Sequence, residues 1–336
     1  MTQVDFDSAR LKAYLKAEFG YNASLALERI GGGQSNPTYC LDYGEQHLVL
    51  RKKPFGPILR GAHAIEREFR VMKALFRTEV PVPEPVLYCE DSAVLGTPFY
   101  LMQRLEGRVF HDTSLPGLLP TERRAIYLCM AQTLAGLHAV RPNDVELSDF
   151  GRPGNYFQRQ IERWSRQWHE SPTENIPDLD RLLEWLIQHM PADDGQVSIA
   201  HGDFRLGNLL FHPSEPRILG VLDWELSTLG HPLADLGFSA MLWHTTPDEY
   251  GGSLGLDVVG LGLPQEAEFI RHYHAHALPT GSLLPFHIAF SLFRFAVIFV
   301  GIADRARQGN ASGQNAHDIA PLAARFARRG LEVAGL

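Results

Sequence analysis

The octapeptide HGDFRLGN occupies residues 201–208, and a mostly hydrophobic run after it ends in DWE at residues 223–225. Phosphoryl transfer needs a carboxylate to hold the attacking hydroxyl and oxygen ligands to hold Mg²⁺ against nucleotide phosphates. Asp203 can accept the hydroxyl proton, Asn208 offers a neutral amide oxygen to a metal, and Asp223 offers a charged oxygen. The order of these groups predicts a phosphoryl-transfer site.

Two strand-like runs, NLLF at 208–211 and RILGVL at 217–222, are separated by the turn-rich sequence HPSEP. This pattern predicts a hairpin. The hairpin would bring Asn208 and Asp223 together at one end of a rigid ribbon, with Asp203 in the loop just before it.

The pattern HxDxxxxN followed by a metal-binding Asp resembles the catalytic core of the protein-kinase-like superfamily, and most closely its aminoglycoside phosphotransferase family of small-molecule kinases. The likeness covers nearly the whole chain, because GGGQSNPTY, LVLRKKP, AIEREFRVMKAL and LMQRLEG precede the motif in the order of the family's nucleotide lobe, and HPLADLGF follows it. The strings AHAIERE and DWELSTLGHPLADL are most similar to kinase-like domains fused to acyl-CoA dehydrogenases in animals and to their free-standing bacterial relatives.

The resemblance implies an α+β, protein-kinase-like fold with two lobes. Residues 1–105 would form a small nucleotide-binding lobe with an antiparallel sheet and a hinge at its end. Residues 106–336 would form a larger, mostly helical lobe that carries the catalytic loop, the metal site and the acceptor cleft. Strand-like segments at 39–43 and 47–51 and an amphipathic helix at 63–76 agree with this division.

Apolar side chains recur at helical spacing in that helix and form the predicted buried stripe: Ile65, Phe69, Met72 and Phe76. Glu68 lies close to the stripe and is predicted to face inward. By resemblance, Glu68 is the family's helix glutamate, which orients the phosphate-binding cation of a neighbouring strand. A surface ion pair with Lys52 or Arg67 is the alternative.

The phosphate-binding cation departs from the family pattern. Aligning LVLR with the family's strand puts Arg51 where lysine is usual. Arginine stays charged and can bind phosphate bidentately, although its longer fork changes the geometry. Lys53, two residues on and on the same strand face, is the alternative, and a role for neither residue is also open.

The glycine-rich segment from Gly31 to Asn36 lies between two extended segments, where glycine would let backbone amides approach nucleotide phosphates. The residues predicted to cover the phosphates are Gly32, Gly33, Gln34, Ser35 and Asn36. An ordinary hairpin turn is the alternative, because the segment matches neither a Walker loop nor GxGxxG.

The strand-like run from Phe99 to Met102 leads into the predicted hinge. By resemblance, backbone groups around Gln103 and Leu105 would bind adenine, and Met102 would be the gate beside it. The alternative is a core strand with an ordinary exit turn.

Only a few residues separate Asp223 from HPLAD, which leaves no room for a protein kinase's long activation segment and favours a small acceptor. Asp235 is predicted to open or cap an apolar helix and to hydrogen-bond the catalytic loop. His201 is predicted to orient that loop through a backbone hydrogen bond. Glu225 would either assist the metal or be exposed.

Composition limits the partners. The net charge is −8 and no Lys/Arg run is long enough to follow a nucleic-acid backbone, so we expect no nucleic-acid partner. The N-terminus matches no targeting peptide, which predicts a cytoplasmic protein. The most apolar stretch, 284–302, is interrupted by His287 and Arg294, so we expect a buried helix and no membrane partner.

Together these features predict an enzyme that uses ATP and Mg²⁺ to move the gamma-phosphoryl group to a hydroxyl of a small molecule, with Asp203, Arg51 and Glu68 as its catalytic residues. A hydroxylated metabolite or a hydroxyacyl thioester is the expected acceptor. An aminoglycoside kinase is one alternative. A non-catalytic nucleotide-binding protein, a pseudokinase, is another, and Arg51 is its only support in the sequence.

Overall fold

Short strands and helices alternate in the first third of the chain, and helices dominate the remainder. The computed structural model describes residues 4–31, 36–55, 64–173, 176–307 and 316–336. The chain divides into two compact units: unit 1 is Met1–Gly107 with Leu219–Leu226, and unit 2 is Arg108–Ile218 with Ser227–Leu336. The lobes predicted at 1–105 and 106–336 stay a prediction.

The strands within the described residues are β1 (Leu25–Arg29), β2 (Thr38–Tyr43), β3 (Gln46–Lys52), β4 (Pro85–Cys89), β5 (Phe99–Gln103), β6 (Ser198–Ala200), β7 (Leu209–Phe211), β8 (Ile218–Val221) and β9 (Thr228–Gly230). The α-helices are α1 (Ser8–Phe19), α2 (Ile65–Leu75), α3 (Ser92–Leu95), α4 (Pro120–Ala139), α5 (Tyr156–His169), α6 (Pro177–Gln188), α7 (Pro232–Ala240), α8 (Val258–Leu261), α9 (Glu266–His276), α10 (Pro285–Arg307) and α11 (Ala316–Ala334).

Unit 1 is built on an antiparallel sheet in the order β1-β2-β3-β5-β4. The predicted strands at 39–43 and 47–51 are confirmed as β2 and β3. Side chains of β3 alternate between the two faces, so Leu48 and Leu50 pack into a core with Leu11 and Leu15 of α1 while Arg51 points to the other face.

Helix α2 lies in the predicted place, although residue 63 is outside the described residues. Glu68 is 1% exposed, so its inward orientation is confirmed. The predicted stripe is partly wrong: Ile65 and Met72 are buried, but Phe76 is 43% exposed because α2 ends at Leu75 and Phe76 is its C-cap. The buried face is completed by Val71 and Leu75 instead.

Unit 2 has a helical core in which α5, α6, α7, α10 and α11 pack together. Helix α10 contains the one segment in the described ranges, Pro285–Arg305, that is long and apolar enough to cross a membrane, and 83% of its apolar window is buried inside the protein. A core helix of a soluble protein passes the same test of length and composition. The predicted buried helix is therefore confirmed.

Two short two-stranded sheets flank the loop at 201–208. β7 and β8 form the predicted hairpin, in whose turn the amide of His212 donates to the carbonyl of Arg217 at 2.8 Å. β6 pairs antiparallel with β9, with Ser198 opposite Gly230. Because the two strands are antiparallel, the loop at 201–208 leaves the ladder at its Ala200 end, and α7 begins beyond its Gly230 end.

The predicted cap of the following helix is wrong. Helix α7 begins at Pro232, and His231 is its N-cap, with a ring nitrogen that accepts from the amide of Leu233 at 3.2 Å. Proline fits the first helical turn because its missing N–H leaves no donor unsatisfied there. Asp235 therefore lies inside the first turn of α7, where its carboxylate is 2% exposed.

Candidate active site

The predicted catalytic loop, residues 201–208 of unit 2, joins Asp203 and Asn208 directly. The side-chain amide nitrogen of Asn208 donates to the Asp203 carbonyl at 2.9 Å and to its carboxylate Oδ2 at 2.7 Å. Both partners are acceptors, so the nitrogen must face Asp203 and the amide oxygen Oδ1 is turned the other way. Asn208 thus holds the Asp203 carboxylate with its side-chain nitrogen, and its side-chain oxygen faces away from Asp203.

Side chains behind the loop hold its backbone. The carboxylate of Asp235 accepts from the amide of His201 at 2.6 Å and from the amide of Gly202 at 2.8 Å. The Nδ1 atom of His201 accepts from the amide of Asp203 at 3.1 Å. The predicted structural roles of Asp235 and His201 are therefore confirmed.

The Asp235 carboxylate also receives a contact from His138, whose Nε2 is 3.4 Å from Oδ2. Burial would raise the pKa of Asp235, but the hydrogen bond and charge of His138 and the backbone donors hold it below its usual value. The side chain of His138 is itself fixed by a 2.7 Å hydrogen bond to the hydroxyl of Tyr273. Asp235 is therefore an ionised acceptor for the loop at neutral pH.

Two further anchors were missed from the sequence. The guanidinium of Arg294 on α10 donates to the carbonyl of Gly202 at 2.8 Å, and the hydroxyl of Ser239 on α7 donates to the carbonyl of Phe204 at 3.0 Å. Arg294 gave one visible signal, a charge inside the most apolar stretch of the chain. Ser239 gave none, because serine within a helix is ordinary.

In unit 1, the predicted phosphate-binding cation, Arg51, contacts two carboxylates. Its Nε lies 3.0 Å from Oε2 of Glu68, and its Nη2 donates to Oδ1 of Asp223 at 2.7 Å. The guanidinium is largely buried, with 13% of the side chain exposed. The alternative of a surface ion pair for Glu68 is wrong, because Glu68 is buried, and Lys52 pairs with Asp5 at 2.8 Å.

Glu68 is buried beside the Arg51 cation and two hydrogen-bond donors. Besides the Arg51 contact, its carboxylate accepts from the amide of Asn36 at 2.8 Å and from the hydroxyl of Tyr100 at 3.1 Å. Burial raises the pKa of Glu68, Arg51 lowers it, and the charges of Asp223 and Glu225 raise it, with a net pKa of about 7. One guanidinium thus faces several carboxylates, an excess of negative charge that favours a cation.

Asp223 has a backbone φ of 64°, in the left-handed region that non-glycine residues seldom adopt. Aspartate is among the residues that tolerate this region, because its short side chain can bond locally. The conformation follows the end of β8, and 32% of the side chain is exposed. Glu225, two residues on, is half-buried. Whether Asn208 and Asp223 meet stays a prediction, since they belong to different units.

No group of three His, Cys, Asp or Glu side chains able to hold a metal occurs within the ranges that the structure describes. The predicted pair, Asn208 and Asp223, is of another kind, since one of its donors is an amide. Amide and carboxylate oxygens fit Mg²⁺, which binds through few protein ligands and fills its other positions with water and phosphate oxygens.

The other predicted nucleotide contacts lie in unit 1 or outside the described residues. Residues 32–35, which include Gly32, Gly33, Gln34 and Ser35, fall outside them, and Asn36 is described through its bond to Glu68. Met102 and Gln103 end β5.

At the predicted hinge, the Gln103 amide donates to the Glu84 carbonyl at 2.8 Å, and adenine binding by backbone groups around Gln103 and Leu105 stays a prediction. Lys53 follows the last residue of β3 and is half-buried.

A cavity of about 70 Å³ lies beside the catalytic loop in unit 2. We call it the loop cavity. Its walls include four consecutive loop residues and apolar side chains of α4, α7 and the turn after α7: Phe204, Arg205, Leu206, Gly207, Tyr127, Met130, Phe238, Met241 and Leu242. The Nε of Arg205 is 3.3 Å from Oδ1 of Asp203, so a cation and the predicted base meet at this wall.

Arg205 is placed by its surroundings as well as by this ion pair. Its guanidinium lies 4.9 Å from the ring centroid of Tyr250. A Cβ atom at position 207 would lie only 2.6 Å from Nη1 of Arg205, so Gly207 leaves the room that the guanidinium occupies. Sequence reasoning missed Arg205, although it lies inside the quoted motif.

Similarity to known proteins identifies the family of the chain. Residues 26–273 match the Phosphotransferase enzyme family, APH. The chain belongs to this family.

A Ralstonia eutropha JMP134 protein provisionally named an aminoglycoside phosphotransferase is 47% identical, with a TM-score of 0.88 over 98% of both chains. Aminoglycoside phosphotransferase APH(4)-Ia, solved as a ternary complex with ADP and hygromycin B, has a TM-score of 0.65 over 97% of this chain and 99% of its own at 16% identity. The predicted kinase-like α+β fold is therefore confirmed.

Curated relatives extend the family resemblance. Acyl-CoA dehydrogenase family member 10 of Mus musculus is 43% identical across 93% of this chain and 30% of its own length. Acyl-CoA dehydrogenase family member 11 of Homo sapiens is 40% identical across 99% of this chain and 44% of its own length. The chain thus spans less than half the length of these relatives, and the predicted resemblance to their kinase-like part is confirmed.

Proposed function

We propose that this protein transfers the gamma-phosphoryl group of ATP to a hydroxyl group of a small molecule. The observation that carries the proposal is the catalytic loop, where Asn208 holds the carboxylate of Asp203 at 2.7 Å on a backbone fixed by Asp235. Membership of the phosphotransferase family supports the same chemistry. ATP as donor is supported by relatives solved with ADP or AMP-PNP.

In the proposed reaction, Asp203 accepts the proton of the acceptor hydroxyl while that oxygen forms a bond to the gamma-phosphorus. The bond from phosphorus to the bridging oxygen breaks, and ADP leaves with the electron pair. A positioned base of this kind contributes roughly 10²–10⁴ in rate. Arg51, oriented by Glu68, would bind phosphate oxygens, and Asn208 and Asp223 would supply oxygen donors to Mg²⁺. Bound Mg²⁺ would neutralise charge on the phosphates.

The loop cavity supports an acceptor with an uncharged, largely apolar part. Among the described residues that line it, the acid is Glu249, and its carboxylate already accepts from Arg329 at 2.9 Å and from the amide of Thr246 at 3.0 Å. A polycationic aminoglycoside would need uncompensated carboxylates, and here it would meet Arg205 at the wall.

Relatives named as acyl-CoA dehydrogenase family members support an acceptor from acyl metabolism. We propose a hydroxyacyl thioester or a similar hydroxylated metabolite. This choice makes the aminoglycoside alternative the less favoured of the two acceptor classes.

The test is Mg²⁺-dependent ATP consumption against three panels: hydroxyacyl thioesters, hydroxylated metabolites and aminoglycosides. Asp203→Asn should lose about 10²–10⁴ in kcat and keep its affinity for MgATP, because the amide fills the same space but accepts no proton. Asp178→Asn is the matched control, since its carboxylate lies on the surface of α6, 3.5 Å from Arg181.

Each outcome separates the candidates. Full turnover in Asp203→Asn would remove Asp203 as the base. Turnover with aminoglycosides alone would overturn the acceptor class. If the wild type binds MgATP but turns over no acceptor in all three panels, the non-catalytic alternative is favoured.

A further inference from the structure

A buried arginine sits in the most apolar helix of the protein. Arg294 lies in the middle of α10 and is 8% exposed, with its guanidinium 5.8 Å from the ring centroid of Trp164. Burying a charged group costs free energy unless specific partners compensate it. An apolar residue of similar size would pack at this position without that cost, so the charge has a use other than core packing.

The polar contact of Arg294 is with the catalytic loop. Its Nη2 donates to the carbonyl oxygen of Gly202 at 2.8 Å, and both groups are buried. This carbonyl belongs to the peptide bond that joins Gly202 to Asp203. The amide of the same peptide, that of Asp203, donates to Nδ1 of His201 at 3.1 Å. The peptide plane next to the proposed base is therefore held at both ends by side chains.

Gly202 makes that restraint necessary. Its φ is +83°, a conformation that glycine adopts readily and that other residues seldom adopt. Because glycine has several accessible conformations, the peptide after it needs restraints to keep one orientation, and the bond from the Asp203 amide to His201 is one of them. Asp235 fixes the amide on the other side of Gly202, at 2.8 Å, but leaves the following carbonyl unrestrained. The bond from Arg294 supplies the missing restraint.

We propose that Arg294 is a positioning residue, which locks the Gly202–Asp203 peptide and so sets the direction of the Asp203 carboxylate. The proposal rests on the proposed phosphoryl transfer. Arg294 does not touch the acceptor or the nucleotide in this role. It acts through the backbone, and its planar fork on a rigid helix holds a carbonyl in a way that a lysine's single ammonium reproduces only in part.

Three variants test the proposal. Arg294→Met removes the donor and keeps an apolar side chain, and Arg294→Lys keeps a charge and one nitrogen. Ser291→Ala is the matched control, because Ser291 is a buried polar residue of the same helix whose hydroxyl bonds to the carbonyl of His287 within α10. All three are compared with the wild type for MgATP affinity, kcat, acceptor KM and hydrogen exchange of the loop amides.

For Arg294→Met we expect kcat to fall roughly 10- to 100-fold, the size of one lost hydrogen bond from a charged donor. The affinity for MgATP should change less than about twofold, because the bond from Arg294 to the Gly202 carbonyl orients Asp203 and does not contact the nucleotide. The kcat of Arg294→Lys should fall between that of the wild type and that of Arg294→Met. The kcat of Ser291→Ala should match the wild type. Amides 201–203 should exchange faster in Arg294→Met and stay unchanged in Ser291→Ala.

Two results overturn the proposal. Unchanged exchange at residues 201–203 would mean that Arg294 does not restrain the loop, whatever the turnover. Faster exchange with wild-type kcat would mean that the restraint does not position the base. If Arg294→Met does not fold, Arg294→Lys decides by the same two measurements.

Failure of the proposed function is separable from these outcomes. If the wild type phosphorylates no acceptor, the proposed function is wrong, and the positioning role is wrong with it. A wild type that turns over, with Arg294 variants that match it, removes only the role of Arg294.

Discussion

The choice between Arg51 and Lys53 as the phosphate-binding cation leads to a sharp prediction. Arg51 makes two contacts with carboxylates, at 3.0 Å to Glu68 and 2.7 Å to Asp223. Lysine at position 51 has a single nitrogen and can keep one of them in the same geometry. A contact between a hydrogen-bond donor and a charged partner is worth about 1.5–3 kcal/mol, so Arg51→Lys should weaken MgATP-dependent kcat/KM by roughly 10- to 150-fold.

Arg51→Met should lose more, because both carboxylates would then be left without their cation. Removing one partner from a buried pair costs about 3–5 kcal/mol, so we also expect a lower thermal midpoint for this variant. Lys53→Met is the control. Its side chain lies beyond the end of β3 and is half-buried, and its loss should change kcat/KM by less than about twofold.

The assay is steady-state kinetics with varied ATP, with MgATP affinity measured by calorimetry. Equal losses in Lys53→Met and Arg51→Met would refute the reasoning, and a large loss in Lys53→Met alone would give the phosphate-binding role to Lys53. Wild-type kinetics in Arg51→Lys would show that the two-carboxylate geometry has no bearing on the nucleotide.

Three shorter predictions concern stability. Burial raises the pKa of Glu68 from 4.5 to about 7, so the folded state holds its proton more tightly and wild-type stability falls as pH rises between those values. Urea unfolding should therefore show Glu68→Gln gaining roughly 2–3 kcal/mol on the wild type between pH 5 and 8; a pH-independent difference would contradict this. Asp235→Asn must turn an NH₂ group towards a backbone amide, so its thermal midpoint and kcat should both fall, and an unchanged kcat would argue against loop support. Gly237→Ala would place a Cβ 2.6 Å from the carbonyl oxygen of His287, so thermal unfolding should show a loss of about 1–3 kcal/mol in the free energy of unfolding. Gly136→Ala is the control and should not be destabilised, because a Cβ there meets nothing within 4 Å.

Local patterns in the sequence carried much of the fold. Helical spacing placed Glu68 on the inner face of α2, and the turn-rich segment after the catalytic loop predicted the hairpin of β7 and β8. The same reasoning failed at Phe76, since periodicity alone does not say where a helix stops. It also chose Asp235 as the cap of α7, because capping preferences favour aspartate, whereas His231 and Pro232 begin that helix.

The contacts that build the site depend on distant parts of the chain. Arg294 is 92 residues from the glycine whose carbonyl it binds, and no spacing rule joins them. Likewise, Arg51 and Asp223 are 172 residues apart. The sequence marked Arg51 by its motif, but its two-carboxylate geometry depends on how the sheet and α2 pack. Arg205 and the loop cavity were missed because a cavity is defined by side chains from several elements at once.

The left-handed backbone of Asp223 places a second demand on a residue that we propose as a metal ligand. At this φ, Asn and Gly can replace Asp with little steric cost, whereas a β-branched residue such as Val would add a penalty of roughly 1–2 kcal/mol from the backbone alone. Three groups of variants at position 223 should therefore differ: Asp, folded and with the charge that a cation needs; Asn and Gly, folded but lacking the charge; and β-branched residues, weakened in both respects. Substitution at position 223 is thus limited by chain geometry and, separately, by charge.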